Sequence, residues 1–130
     1  MASDGQKIYA SVGDAAPLRQ TTAGAPAPVG NVDFDQTQGG GLTALRLADG
    51  SQVWYTPGHA CDPPKPGCSP AQSGAVTAIP GVVFSGSLDG HVRGYSAEDG
   101  KVMWDFDTAQ DYTTVNGVAP RAARSMEPVR

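Results

Sequence analysis

The side chains able to do chemistry are few and scattered. Cys61 and Cys68 bracket the stretch Cys-Asp-Pro-Pro-Lys-Pro-Gly-Cys. A disulfide can close so short a loop if its turn brings the two Cα atoms within about 7 Å, and such a bond belongs to an oxidising compartment. Two reduced thiols in a cytosolic loop are the alternative. Zinc is disfavoured, because His59 is the one nearby imidazole and no fourth ligand is evident. His59 precedes Cys61 in this loop and His91 follows Asp89-Gly90, so both read as solvent-facing turn residues rather than bases. Ser69 and Ser73 have no His partner nearby, which leaves a hydrolase triad unsupported. No Gly-rich phosphate loop opens a helix. Calcium takes six to eight oxygens, and the carboxylates that could supply them are Asp33, Asp35, Asp62, Asp89, Asp107 and Asp111. Asp89 and Asp99 are better explained as turn residues before glycine, whereas Asp107 and Asp111 flank a strand near a rim and could reach a site. No motif singles out a catalytic carboxylate, so catalytic and cofactor-binding residues stay unassigned and no metal ligand is designated.

The elements that would position these groups are strands. With 17 Gly and 11 Pro in 130 residues, the chain holds far more of both than the roughly 12% of an average protein. Helix interiors exclude both residue types. Disorder is not the default either, since 39% of residues are hydrophobic and fall in short runs. An all-β chain rich in turns remains. Thirteen acids and nine bases give a net charge of −4, which argues against nucleic-acid partners. No apolar run of about 18 residues is present to span a membrane. The start, Met1-Ala2-Ser3-Asp4, lacks the features of a signal peptide.

Two segments repeat. Leu42 to Trp54 and Val92 to Trp104 share a strand, an Asp-Gly turn and a second strand ending on tryptophan. Asp49-Gly50 matches Asp99-Gly100 and Trp54 matches Trp104, at an offset of 50 residues. Glycine supplies the positive φ of a tight hairpin and aspartate tolerates it. Ser3 to Val12 resembles the run from Pro80 to Ser87 in its place within the unit. Strands at about 73–79, 82–87, 91–96 and 101–106 then make one four-stranded antiparallel blade. Strands at 8–12, 42–47 and 52–56 supply the last three strands of a preceding blade. The fold class is all-β: a partial β-propeller of about two four-stranded antiparallel blades. Residues 1–57 form an incomplete blade with a long insertion at about 13–41, 58–72 a Cys/Pro loop, and 73–108 one complete blade. Residues 109–130 hold the start of another blade and an aberrant tail. The insertion is either a mobile linker or a loop shaping a functional rim, and Gly39-Gly40-Gly41 lets the chain re-enter the sheet at close quarters.

The string from Gly81 to Thr108 resembles the pyrroloquinoline quinone (PQQ)-dependent alcohol dehydrogenases. Their blades end in a tryptophan-docking motif, Ala-x-Asp-x-x-x-Gly-x-x-x-Trp. Ala97, Gly100 and Trp104 occupy such positions here, and Leu45, Gly50 and Trp54 echo them one blade earlier. The acidic residue is Asp99, so the spacing departs from the strict pattern. The resemblance implies that Trp54 and Trp104, with Asp49, Gly50, Asp99 and Gly100, have a packing role between blades. Cys61 to Gly117 narrows the resemblance to polyvinyl alcohol dehydrogenase-like quinoproteins. That family implies a periplasmic eight-bladed propeller carrying PQQ and Ca²⁺ on its axis. It also implies oxidation of secondary hydroxyls, with a c-type cytochrome taking the electrons. The vicinal cysteine pair of some relatives and a Cys-x-x-Cys-His haem motif are both missing. Most PQQ residues would fall on blades beyond this chain, so the isolated chain is expected to be inactive and to bind no cofactor tightly.

After Gly117 the family continues with a Gly-rich stretch, whereas this chain reads Arg121 to Arg130. A one-base shift in codons for Pro-Leu-Asp-Gly-Ala-Gly-Pro yields Arg-Ser-Met-Glu-Pro-Val-Arg, so a frameshifted end is one reading of 118–130 and an ordinary basic tail the other. Exposed blade faces and sheet edges lead us to expect poor folding or aggregation of the isolated chain. The competing function is a non-enzymatic propeller scaffold of the outer-membrane assembly type, and a third is a small β-domain binding a partner through 13–41.

Overall fold

A computed structural model describes residues 1–14, 35–65, 67–110, 112 and 115–117. Their secondary structure is all β. The strands are β1 (Ala2–Ser3), β2 (Lys7–Ser11), β3 (Leu42–Arg46), β4 (Gln52–Thr56), β5 (Val76–Ile79), β6 (Val82–Gly86), β7 (His91–Ser96) and β8 (Val102–Asp107). They form two four-stranded antiparallel sheets, ordered β1-β2-β3-β4 and β5-β6-β7-β8. Each is one blade, and the pair is an unclosed part of a propeller.

The first blade has four strands where the sequence reading gives three. The added strand, β1, pairs Ala2 with Tyr9 and Ser3 with Ile8; two residues carry no alternation to read. In the second blade, 73–75 precede the first strand, and Gly74 instead donates its N–H to the Gly86 carbonyl at the sheet end. No strand follows Asp107 among the described residues, and the tail 118–130 lies outside them.

The repeat is visible in the register. Tyr9 faces Ala44 and Ala44 faces Trp54; Phe84 faces Gly94 and Gly94 faces Trp104. A bulge falls at the equivalent step in both sheets, between Ala44 and Leu45 and between Gly94 and Tyr95. The turns following these strands are also alike. Each is a four-residue loop. Arg46 N–H donates to the Ser51 carbonyl at 2.8 Å and Gly50 N–H to the Arg46 carbonyl at 2.9 Å. In the second blade Ser96 donates to Lys101 at 2.8 Å and Gly100 to Ser96 at 2.9 Å. Glycine alone takes the left-handed position, with φ of 72° at Gly50 and 74° at Gly100. The aspartates act through their side chains: Asp49 accepts from the Ser51 N–H and hydroxyl, and Asp99 from the Lys101 N–H.

The blades pack face to face around one core. Tyr9, Leu42, Ala44 and Trp54 come from the first, and Val76, Val83, Tyr95 and Ala97 from the second. Antiparallel succession puts the β1–β2, β3–β4, β5–β6 and β7–β8 turns at one end of this pair. The opposite rim gathers the insertion after β2, the 57–75 segment, the short β6–β7 turn and the stretch after β8.

Candidate functional site

Two places concentrate specific interactions. The first is the seam between blades. The Trp54 indole N–H donates to the Ala97 carbonyl at 3.2 Å, and Lys7 Nζ donates to the same oxygen at 2.8 Å. The Thr56 hydroxyl reaches the Gly100 carbonyl at 2.6 Å. A Cβ at Gly100 would stand 2.6 Å from Trp54 Cε3, so the ring needs glycine beneath it. Tyr9 lies against the same indole with ring centroids 5.9 Å apart. An indole buries about 150–250 Å², which at roughly 25 cal/mol per Å² makes this contact a main source of the seam's stability. Beside it the seam opens into a cleft of about 290 Å³, lined in part by His59, Asp99 and Lys101.

The second is the long-loop rim, centred on Arg93. Its guanidinium is buried, with the residue 4% exposed. Nη2 donates to Asp89 Oδ2 at 2.6 Å, Nε to Asp105 Oδ2 at 2.8 Å and Nη1 to the Ser87 hydroxyl at 2.9 Å. His91 Nδ1 meets the other Asp105 oxygen at 2.5 Å. Burial pushes the Asp89 and Asp105 carboxyls up, but their bonds outweigh it. Arg93 and Ser87 act at Asp89, and His91 and Arg93 at Asp105, leaving both groups below the ordinary carboxylate range. Next along this face, Gln72 Nε2 donates to the Tyr95 hydroxyl at 2.8 Å and Gln72 Oε1 accepts from the Ser85 hydroxyl at 3.2 Å. Burial pushes the Tyr95 phenol up. Backbone bonds tie the rim loops together: Val12 to Gly41, Gln72 to Val12 and Leu88 to Ala71, each at 2.9 Å. Gly39, Gly40 and Gly41 all have positive φ, and a Cβ at Gly40 would fall 2.0 Å from the Pro70 carbonyl oxygen.

The residues named from sequence are distributed around this rim. Asp89 is a turn residue, accepting from the His91 N–H at 3.0 Å, and also an ion-pair partner. His91 is not a free turn residue; it is half-buried and held on Asp105. His59 is exposed at the rim. Cys61 and Cys68 form a disulfide with Cα atoms 6.2 Å apart. Gln36 straps it to the insertion, accepting from the Cys61 and Lys65 N–H groups at 2.9 Å each. Asp35 accepts from Thr37, Asp107 from the Ala109 N–H, and Asp62 is exposed. Ser69 is buried and accepts from the Ala71 N–H, while Ser73 is exposed. Asp33 and Asp111 lie outside the described residues. Arg93 went unmarked in the sequence, although its place four residues after Asp89 and two before Tyr95 signals a polar group on a core-facing strand.

This rim is a self-satisfied support. Among the described residues no buried side-chain polar atom lacks a hydrogen bond, and no three His, Cys, Asp or Glu residues are placed to hold a metal ion. Their side chains alone therefore do not make up the set of six to eight oxygens that calcium takes. No helix among them is long and apolar enough to cross a membrane.

With this geometry in place, the relatives are informative. The chain is 50% identical over 94 residues to a polyvinylalcohol dehydrogenase of Pseudomonas sp, a match covering 68% of this chain and 15% of that protein. It is 34% identical over 120 residues to a polyvinylalcohol dehydrogenase of Sphingopyxis sp. (strain 113P3), covering 89% of this chain and 16% of the relative. A 46-residue stretch is 37% identical to a 1-butanol dehydrogenase (quinone) of Thauera butanivorans, covering 35% of this chain and 7% of that enzyme. No family model matches. The chain is thus related to the quinone-dependent alcohol dehydrogenases. Within them it aligns with polyvinylalcohol dehydrogenases, of whose length it spans about one sixth.

Proposed function

We propose that this chain is a two-blade part of a PQQ-dependent quinoprotein dehydrogenase that oxidises polyvinyl alcohol or similar secondary alcohols. The observation carrying this reading is the 50% identity to a polyvinylalcohol dehydrogenase over 94 residues, in a chain whose tryptophan-docked sheets have blade geometry. In this account PQQ and Ca²⁺ are held by the parent protein on groups beyond those described here. The parent is periplasmic and passes electrons to a c-type cytochrome, while the 130-residue chain alone is inactive. The disulfide supports an oxidising compartment. Within the parent, Trp54 and Trp104, with the turns at Asp49-Gly50 and Asp99-Gly100, hold neighbouring blades together. Arg93, with Asp89 and Asp105, keeps the rim rigid so that loops above it stay in register.

A fluorescence titration with PQQ and Ca²⁺ tests the reading on two samples, the parent protein and the 130-residue chain. Saturable, calcium-dependent binding is expected of the parent and none of the chain. A parent that ignores PQQ overturns the proposal.

A further inference from the structure

The contact between the two blades joins two unlike surfaces, and each recurs once more with no second blade against it among the described residues. One surface is the aromatic pair Tyr9–Trp54; its register equivalent is Phe84–Trp104, with ring centroids 6.2 Å apart against 5.9 Å. Trp54 is 8% exposed and Trp104 is 48% exposed. Val102, Met103 and Phe106 on the same strand are exposed as well. The other surface is the turn that receives the indole, Ala97–Gly100. Its equivalent, Leu47–Gly50, has the same two backbone bonds and the same left-handed glycine. There, the space where a Gly50 Cβ would point is open, and Leu47 is 51% exposed. By register, Lys7 and Thr56, which supply polar bonds to the occupied turn, correspond to Val82 and Phe106. Both replacements are apolar, so the second site relies more on burial.

We propose that the 130-residue chain associates with itself through these two surfaces, head to tail. Trp104 of one copy lies over Gly50 of the next, and its indole N–H donates to the neighbour's Leu47 carbonyl. The occupied Trp54 seam shows that an indole face fits a turn of this backbone geometry. Because the halves differ, the contact is heterologous and leaves a free surface at each end of a dimer. Assembly should therefore grow with concentration instead of stopping at two. The inference does not depend on the dehydrogenase reading.

Sedimentation velocity of the full 130-residue chain over a 100-fold concentration range tests this, with folding checked by circular dichroism. Two variants remove one half each: Trp104→Ala, at an exposed ring, and Leu47→Glu, at an exposed turn. The wild-type chain should form concentration-dependent oligomers, and each variant alone should be monomeric. An equal mixture should give a 1:1 heterodimer, since one variant keeps the socket and the other the indole. As an independent readout, Trp104 should be protected from oxidative footprinting at high concentration and not at low. A wild-type monomer throughout, a mixture that stays monomeric, or a Leu47→Glu chain that still self-associates (which indicates Trp104 pairing with itself) overturns the proposal. Aggregation without a β-sheet signal does so too.

Discussion

Trp54 and Ala97 join the two blades: an indole N–H on β4 meets a carbonyl oxygen 3.2 Å away in the β7–β8 turn. Below that ring sits Gly100, with φ of 74° and no room for a Cβ. A Gly100→Ala substitution should therefore combine left-handed strain with overpacking, a loss of about 2–4 kcal/mol. Gly81→Ala meets nothing within 4 Å and should lose only about 1 kcal/mol through backbone strain. Urea unfolding at one fixed chain concentration compares them, and equal losses would contradict the docking account.

Arg93 is the hub of the rim. Replacing it with Met leaves the buried Asp89 carboxylate without its ion pair, a loss of about 3 kcal/mol. Neutralising the orphaned acids in an Arg93→Met, Asp89→Asn, Asp105→Asn chain should recover part of it. If the triple variant is no more stable than the single one, the pair is not what the guanidinium supplies.

Acid should destabilise the chain. The Tyr9 hydroxyl, with the Gln6 and Lys7 N–H groups, holds the Asp4 carboxyl down to about 2, and Asp89 and Asp105 also lie below the ordinary range. A carboxyl depressed in the folded state stabilises fully above its unfolded value of roughly 3.9. That stabilisation is lost as pH falls through the folded value. The urea midpoint should decline slightly below about pH 6.5, where partial burial disfavours protonating His59, and fall more steeply below about pH 4. Asp4→Asn should blunt that fall, and a midpoint that rises in acid would contradict the assignment.

The Cys61–Cys68 bridge closes a short loop, for which chain entropy gives a contribution of about 2 kcal/mol. Reduction, or the Cys61→Ser, Cys68→Ser double variant, should lower the melting temperature by several degrees. Unchanged melting after complete reduction would show that the Gln36 strap alone holds the loop.

Much of the architecture was legible because it repeats. The 50-residue offset between Trp54 and Trp104 exposes two blades, and the Asp-Gly turns between apolar runs place most of their strands. The two-residue β1 was not legible, since its pairing with Tyr9 is a tertiary event. The Asp-Gly turns were legible as turns, but not that their aspartates work as side-chain acceptors, because that role depends on where the folded loop places each carboxylate. The rim network escaped notice for a similar reason. Asp89, Arg93 and Asp105 sit on three successive chain segments, and only strand pairing brings Arg93 opposite Asp105.

The central claim is that this chain is an exchangeable pair of blades from an alcohol-oxidising quinoprotein. The most direct test grafts residues 1–117 in place of the matching segment of the Pseudomonas sp polyvinylalcohol dehydrogenase and assays dye reduction with polyvinyl alcohol, with and without PQQ and Ca²⁺. The account predicts a folded chimera with PQQ-dependent activity, reduced severalfold by Gly100→Val. A chimera that folds like its parent yet oxidises no alcohol would contradict it.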